Sequence, residues 1–145
     1  MDTTAVGRVA LMSIHPAYAE RILDGSKQVE FRKRPVADDV THVLVYATAP
    51  VSAVVGAFTV GGQHTTSPGE LWKRFKEVAG IGRRALMEYF GDREVGTGIA
   101  VGDVLYPASP LSLVDDLGVA RPPQSYQYVC PDTARRVLSS MSPSK

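Results

Sequence analysis

The order of strand-like and helix-like segments is the feature that most limits the folds open to this chain. Short β-branched or apolar segments predict five or six strands, at residues 7–14, 27–34, 41–49, 53–62, 96–107 and 121–129. Helices are predicted between and after them, at 16–25, 67–80, 82–91 and 132–141, with a short helix or strand at 109–119. Because strands and helices do not alternate regularly, the pattern favours an α+β fold, a small mixed barrel, over a doubly wound sheet.

Glycine, proline and serine residues set finer expectations for these segments. The last long strand segment is predicted to turn at Gly102 and Asp103. Gly56 marks a bulge or a close backbone contact within its strand. Ser67 is a candidate N-cap, and Pro68 suits the first turn of the helix that follows it.

The size and composition of the chain predict one folded domain. The 145 residues are 44% hydrophobic and 21% charged, which is ordinary for a globular protein. We expect a single domain over 1–145, with its core at 8–138 and a disordered tail at 139–145. The net charge of +1 argues against nonspecific coating of duplex nucleic acid, so any nucleic-acid role requires a local basic patch.

The sequence predicts a cytoplasmic protein that does not associate with a membrane. No apolar run reaches the ~20 residues that span a bilayer. The N-terminus has Asp2 and no basic segment, so a secretory signal is not expected. Cys130 is the single cysteine and forms no disulfide within the chain. His42 and His64 lack metal-ligand spacing, so neither a metal nor another cofactor is predicted.

The segment GSKQVEFRKR concentrates positive charge in a chain that is nearly neutral. Alternation along a strand places Val29 and Phe31 toward a core. Glu30, Arg32 and Arg34 lie on the opposite side of that strand. Glu30 and Arg32 are then about 7 Å apart, which suits either a surface ion pair or joint contacts to a ligand.

Gly25, Lys27, Glu30 and Arg32 also fit the pattern G-x-K-x-x-E-x-R, and in this respect the chain resembles the ASCH domain, a branch of the PUA-like β-barrels. The strand and helix before the pattern agree with this resemblance, as does the segment PPQSYQYV near the end. The resemblance covers residues 8 to about 130. It implies a small PUA-like barrel, with a cleft beside the pattern that binds RNA or another nucleic acid.

Some ASCH-like proteins are hydrolases, either nucleases or amidohydrolases that act on acylated nucleosides. In the amidohydrolase type, the lysine of the pattern is catalytic and partners a threonine three residues later. Lys27 matches that lysine, whereas the later position is Glu30 in this chain. The resemblance therefore implies catalytic roles for Lys27 and Glu30 only if the chain is an enzyme.

Residues near the strand that carries the pattern are further candidates for nucleic-acid contacts. Ser13 and His15 flank the predicted junction between the first strand and helix, where backbone N–H groups can hold an anion; capping or packing by His15 is the alternative. Arg34 follows Arg32 on the same face and is a candidate phosphate contact. Lys33 is interpreted as a solvated strand end.

Polar and aromatic residues elsewhere complete the predicted site. Tyr46 and Tyr126 are candidate stacking platforms for a base, with core or rim packing as the alternative. Gln124 and Ser125 can read a base edge, or they form a turn fixed by the two preceding prolines.

The leading prediction is a domain that binds RNA, single-stranded nucleic acid or a nucleotide-like small molecule beside Lys27, Glu30 and Arg32. Lys27 would contact phosphate or a carbonyl group, Glu30 would accept from a base or orient Lys27, and Arg32 would hold phosphate. The alternative is a hydrolase that acts on RNA or on a modified nucleoside, with Lys27 and Glu30 in proton transfer. A third possibility is a patch that binds an acidic protein partner. The oligomeric state stays open.

Overall fold

The computed structural model describes residues 5–144 of the chain. Within this range it has six strands, four α-helices and a π-helical turn. In chain order they are β1 (Arg8–Ile14), α1 (Pro16–Asp24), β2 (Val29–Arg32), β3 (Val40–Ala47), β4 (Ala53–Thr66), α2 (Pro68–Phe75), α3 (Arg83–Phe90), β5 (Gly96–Leu105), the π-helical turn (Leu113–Leu117), β6 (Tyr126–Tyr128) and α4 (Pro131–Ser139). None of the helices among the described residues has the length and apolar character of a membrane span.

The six strands form one mixed sheet in the order β2-β5-β4-β3-β1-β6. β1 and β3 are parallel, and the other neighbouring strands are antiparallel. The sheet curls into a half-barrel, and Arg32 on edge strand β2 reaches Ser125, which directly precedes the opposite edge strand β6. The predicted α+β fold with a barrel-like sheet of about six strands is confirmed.

Strand β1 is buried on both faces, which explains its nearly continuous apolar sequence. Val9 and Leu11 belong to the hydrophobic cluster that includes α4 and the π-helical turn. Ala10 and Met12 belong to a second cluster, with Ile22 of α1. A third cluster packs β2 against α2 and α3, and it supports one side of the candidate site.

Helix α1 is fixed at both ends by local sequence. Pro16 occupies its first turn, and the ring nitrogen Nδ1 of His15 accepts a hydrogen bond from the backbone N–H of Ala17 at 3.2 Å. Gly25 ends the helix in the left-handed conformation with φ of 86°, which a glycine adopts without steric cost. The chain therefore turns sharply into β2, and Lys27 is brought back beneath the helix.

Helix α2 ends earlier than predicted, and this changes the surroundings of β2. Ser67 caps the helix as expected, accepting from the backbone N–H of Glu70. The helix stops at Phe75 instead of continuing to residue 80. Residues 76–82, called the cover loop below, leave their backbone carbonyls free to bond the β2 segment. Val78 accepts from the backbone N–H of Gln28 at 2.9 Å.

The turn predicted at Gly102 and Asp103 was wrong, because β5 runs without a break from Gly96 to Leu105. The backbone of Gly102 packs directly against Thr59, where a Cβ atom would clash. The hydroxyl of Thr59 accepts from the backbone N–H of Asp103 at 2.8 Å. This glycine therefore permits close packing inside the sheet, next to irregular pairing between β4 and β5.

Close packing also explains Gly56, where a Cβ atom would lie 2.5 Å from a methyl group of Leu23 on α1. The tail predicted to be disordered is partly paired. Helix α4 extends to Ser139, and Ser142 exchanges two backbone hydrogen bonds with Tyr106, at 2.7 and 2.9 Å.

Candidate functional site

Lys27 is buried in the structure, with 2% of its surface exposed. Its ammonium Nζ donates a hydrogen bond to the carbonyl oxygen of Ala79 in the cover loop, at 2.6 Å. The same atom lies 5.3 Å from the ring centre of Tyr18 and 5.1 Å from that of Phe31, distances typical of cation–π contacts. The ammonium is thus held by one carbonyl and two aromatic faces.

This environment lowers the pKa of Lys27. Burial is the main cause, since removal from water disfavours the charged ammonium. The carboxylate of Glu30 opposes this effect, and the nearby guanidinium of Arg21 adds to it. A lysine with a lowered pKa gives up its proton more readily than an exposed lysine does, which suits proton transfer as well as hydrogen bonding.

The cover loop fits over Lys27 because residue 80 is a glycine. A Cβ atom at Gly80 would lie 2.5–2.9 Å from the Lys27 side-chain carbons, and φ there is 63°. Arg21 of α1 donates to the carbonyl oxygen of Gly80 at 2.7 Å. The loop is therefore tied to α1 and to Lys27 at the same point.

Glu30 and Arg32 form a buried ion pair. Arg32 Nη1 lies 3.2 Å from Glu30 Oε2, and the two side chains are only 14% and 8% exposed. Burial raises the pKa of Glu30, while the charges of Arg32 and Lys27 act in the opposite direction. The predicted alternation describes the apolar side of β2, but it does not show that the polar side of the strand is covered as well.

Arg32 also joins the two edges of the half-barrel. Its Nη2 donates to both the carbonyl oxygen and the hydroxyl of Ser125, each at 2.9 Å. Ser13 contributes from β1, with its hydroxyl donating to the carbonyl oxygen of Pro123 at 2.7 Å. The segment before β6, predicted to read a base or to form a turn, is thereby anchored to β1 and β2.

A cleft of about 280 Å³ opens beside these residues. Its wall combines side chains from β1, α1, β2 and α3 with one residue of the cover loop. The polar lining residues are Ser13, His15, Lys27, Glu30 and Arg32, and the apolar or aromatic ones are Ile14, Tyr18, Phe31, Ile81, Ala85, Leu86 and Tyr89. Such a cleft offers a flat aromatic group both stacking surfaces and a donor beside an acceptor.

The other predicted contacts lie outside the lining of this cleft. Arg34 is exposed beyond the end of β2, which stops at Arg32 and not at residue 34. Tyr46 is 5% exposed and belongs to the core cluster of β1 and α4. Gln124 is exposed, and Tyr126 makes an edge-on ring contact with Tyr128.

Of the ten predicted residues, the cleft brings together Ser13, His15, Lys27, Glu30 and Arg32, and Ser125 supports it through Arg32.

Three aromatic residues of the cleft, Tyr18, Phe31 and Tyr89, were not predicted as site residues, and Phe31 was expected only in the core. Tyr18 lies on the helix that leads into the glycine-lysine pattern, about two turns before Gly25, and this position is a usable signal. Tyr89 lies 59 positions after Glu30, and no local sequence signal connects the two. Residues 5–144 contain no group of three or more His, Cys, Asp or Glu side chains arranged to hold a metal ion.

Comparison with known proteins finds similarity to ASCH proteins in both sequence and structure. The chain is 30% identical over 138 residues to a protein of Zymomonas mobilis named "ASCH domain-containing ribonuclease", with 92% of each protein covered. The crystal structure of ASCH from Zymomonas mobilis is similar at a TM-score of 0.82 and 25% identity, covering 94% of this chain and 98% of that one. A point-mutant structure of ZmASCH gives a TM-score of 0.81, 25% identity and coverage of 92% and 99%. No family model matches the chain.

Proposed function

Because this chain belongs to the ASCH domain family, we propose that it binds RNA and takes one unstacked nucleotide into the cleft beside Lys27 and Glu30. The observation that carries the proposal is the composition of that cleft. A buried ammonium and a buried carboxylate meet three aromatic side chains, those of Tyr18, Phe31 and Tyr89. Sequence-specific RNA readers typically stack an unpaired base on aromatic rings and bond its polar edge.

The size of the cleft favours a single nucleotide over a helix. Its volume of about 280 Å³ lies just below the range of roughly 300–1,000 Å³ that is common for small-ligand pockets. The net charge of +1 also gives little support for tracking a long duplex. The proposed ligand is therefore a single-stranded segment or an end of RNA.

Each residue of the charged group has a distinct role in this proposal. Lys27 donates to an acceptor on the bound nucleotide, and Glu30 accepts from a donor beside it. Arg32 positions Glu30 and holds the segment before β6, so it supports the site without contacting the ligand. This division replaces the expectation that Arg32 itself holds phosphate.

The test compares the buried lysine with an exposed one. We expect Lys27→Met to weaken binding of fluorescein-labelled single-stranded RNA by about 10- to 100-fold, because a hydrogen bond to a charged group is lost. Lys73→Met removes the same charge from an exposed position on α2. That control is expected to bind within about twofold of the unmodified protein. Fluorescence anisotropy measures both affinities, and thermal unfolding checks that both variants fold.

The proposal fails if the unmodified protein does not bind RNA, or if folded Lys27→Met binds as tightly as the Lys73→Met control. A DNA strand of the same sequence tests whether the 2′-hydroxyl contributes. A labelled RNA that stays bound in the presence of excess DNA supports the assignment to RNA.

Ribonuclease activity is a second candidate, favoured by the opposite pKa shifts of Lys27 and Glu30. Burial lowers the first pKa and raises the second, so each group is closer to exchanging a proton near neutral pH than an exposed residue would be. The relative from Zymomonas mobilis carries the name of a ribonuclease. In the proposed step, Glu30 removes the 2′-hydroxyl proton, the 2′-oxygen attacks the adjacent phosphorus, and the departing 5′-oxygen receives a proton from Lys27.

Glu30→Gln tests this candidate, with exposed Glu77→Gln as the matched control. We expect cleavage of labelled single-stranded RNA to fall by about 100-fold or more in Glu30→Gln, the usual contribution of a proton-transfer group. A strand with 2′-O-methyl groups should resist cleavage, because its 2′-oxygen carries no proton. Equal cleavage rates in Glu30→Gln and Glu77→Gln, or no cleavage by the unmodified protein, would remove the activity from this site.

A further inference from the structure

The contacts of Arg32 leave little capacity for a phosphate. Its Nη1 is 3.2 Å from the Glu30 carboxylate and 3.5 Å from the carbonyl oxygen of Ser13. Its Nη2 is shared between the two oxygens of Ser125. A guanidinium has five N–H donors. In Arg32, the four on Nη1 and Nη2 point toward protein oxygens. If RNA enters the cleft, its phosphate must therefore meet other cations.

The mouth of the cleft supplies two such cations beside Tyr89. Lys33 directly follows β2, and its Nζ lies 5.3 Å from the ring centre of Tyr89. Arg93, in the loop between α3 and β5, donates from Nη2 to the carbonyl oxygen of Lys33 at 3.2 Å. Tyr89 itself lines the cleft and is 39% exposed. Both cations thus lie next to Tyr89, a lining residue of the cleft, while they are themselves outside its lining.

The guanidinium of Arg93 is only partly satisfied. Its Nε is buried and has no hydrogen-bond partner within residues 5–144. Neither Arg93 nor Lys33 forms an ion pair with another described residue. Asp92 and Glu94 flank Arg93 in the chain and are exposed, so they moderate the local positive charge. The half-buried guanidinium of Arg93 and the exposed ammonium of Lys33, neither of them held in an ion pair within residues 5–144, are a suitable pair of donors for a phosphate oxygen.

We infer that Lys33 and Arg93 form a phosphate subsite at the mouth of the cleft, which binds a phosphodiester group adjoining the nucleotide held beside Lys27. This inference rests on the proposed RNA binding and adds to it a second point of attachment. It assigns a role to Lys33 that the sequence alone did not suggest, and to Arg93, which no pattern marked. Two attachment points of this kind would set the position of the RNA strand along the cleft.

The test measures how RNA affinity depends on salt. Lys33→Gln combined with Arg93→Gln should weaken binding of labelled single-stranded RNA and reduce the slope of log affinity against log KCl concentration by about 0.7 for each lost phosphate contact. Affinity for ribonucleosides, which lack phosphate, should stay unchanged in calorimetric titration. The matched control, Lys73→Gln with Arg135→Gln, removes two exposed cations from α2 and α4 and should retain the original slope. Arg93→Lys, which keeps the positive charge at this position, should retain most of the salt slope of the unmodified protein.

The possible results separate this inference from the proposed function. Absence of RNA binding by the unmodified protein overturns both. Binding that is normal in the unmodified protein, with the same salt slope in the Lys33→Gln, Arg93→Gln variant, overturns the phosphate subsite alone. If the double variant does not fold, Lys33→Gln on its own decides, because Lys33 is exposed; an unchanged slope in that variant also overturns the subsite.

Discussion

The Glu30–Arg32 pair in the cleft and the Arg8–Asp39 pair at the start of β1 join the same kinds of group at similar distances. Arg8 contacts Asp39 through two nitrogens, at 2.9 and 3.1 Å, whereas Arg32 contacts Glu30 through one, at 3.2 Å. The surface pair therefore has the better geometry. Its side chains are 46% and 62% exposed, against 14% and 8% in the cleft.

The difference in burial decides what each pair does. Water screens the exposed pair and competes for its hydrogen bonds, so the pair contributes little to stability. The buried pair loses the hydration of two charges, a cost that its attraction offsets only with further hydrogen bonds. Apolar residues of similar volume would commonly be as stable at such a position. The role proposed above, a carboxylate held in place for a ligand, therefore accounts for the buried pair better than a gain in stability does.

Removal of the buried guanidinium should produce the largest effect. Arg32→Met leaves Glu30 without its partner and removes the bonds to Ser125 that join the sheet edges. We expect a loss of about 3–5 kcal/mol in the free energy of unfolding, measured by urea denaturation. Adding Glu30→Leu to Arg32→Met should recover part of this loss, because the unpaired carboxylate is gone. A loss below about 1 kcal/mol for Arg32→Met would show that burial does not make the Glu30–Arg32 pair contribute more to stability than the exposed Arg8–Asp39 pair does.

The cover over the buried charges should be the next most sensitive feature. Gly80 and Gly118 have similar left-handed backbone angles, with φ of 63° and 68°, so alanine at either position costs about 1–2 kcal/mol from backbone strain. Only at Gly80 would the new Cβ press on Lys27, whereas nothing lies within 4 Å of it at Gly118. Gly80→Ala should therefore lose about 1–3 kcal/mol more than Gly118→Ala in urea denaturation. Equal losses would mean that the cover loop shifts to accommodate the new Cβ atom without a measurable cost in stability.

The secondary structure around β2 was largely predictable from the sequence, but the burial of its polar side chains was not. Alternation correctly placed Val29 and Phe31 in the core, and the family pattern selected Lys27, Glu30 and Arg32. A period of two cannot reveal that the polar face of a strand is covered too. That cover comes from the cover loop, about 50 residues further along the chain.

Long-range contacts also explain the residues that pattern reasoning misplaced or missed. Ser125 meets Arg32 across 93 positions, because the curled sheet brings its edges together. Tyr46 was predicted as a stacking platform from its residue type, yet the two-sided burial of β3 places it in the core. Arg93 reaches the mouth of the cleft only through the fold, since its contact with Lys33 spans 60 positions.

The pH dependence of stability is a further test of the environment of Glu30. Its pKa is raised above the ordinary value of 4.5, so its contribution to stability is fully present below that pH and is lost as the pH rises through the folded-state pKa. Glu30→Gln does not titrate, so the variant should gain stability relative to the unmodified protein as the pH rises from 4.5. The slope is at most about 1.4 kcal/mol per pH unit for one proton. Urea denaturation across this range measures it, and a difference that does not change with pH would mean that the charges of Arg32 and Lys27 cancel the effect of burial on the pKa of Glu30.

The smallest effect is expected at the surface pair, despite its two contacts. Asp39→Asn removes the charge while keeping the shape of the side chain, and water replaces the lost interaction with Arg8 because both groups are exposed. The midpoint of urea denaturation should stay within experimental error of the unmodified protein, and high salt should erase any remaining difference. A clear loss of stability in Asp39→Asn that persists at high salt would mean that geometry, and not burial, sets the strength of ion pairs in this fold. The interpretation of the Glu30–Arg32 pair as a ligand-directed feature would then lose its main support.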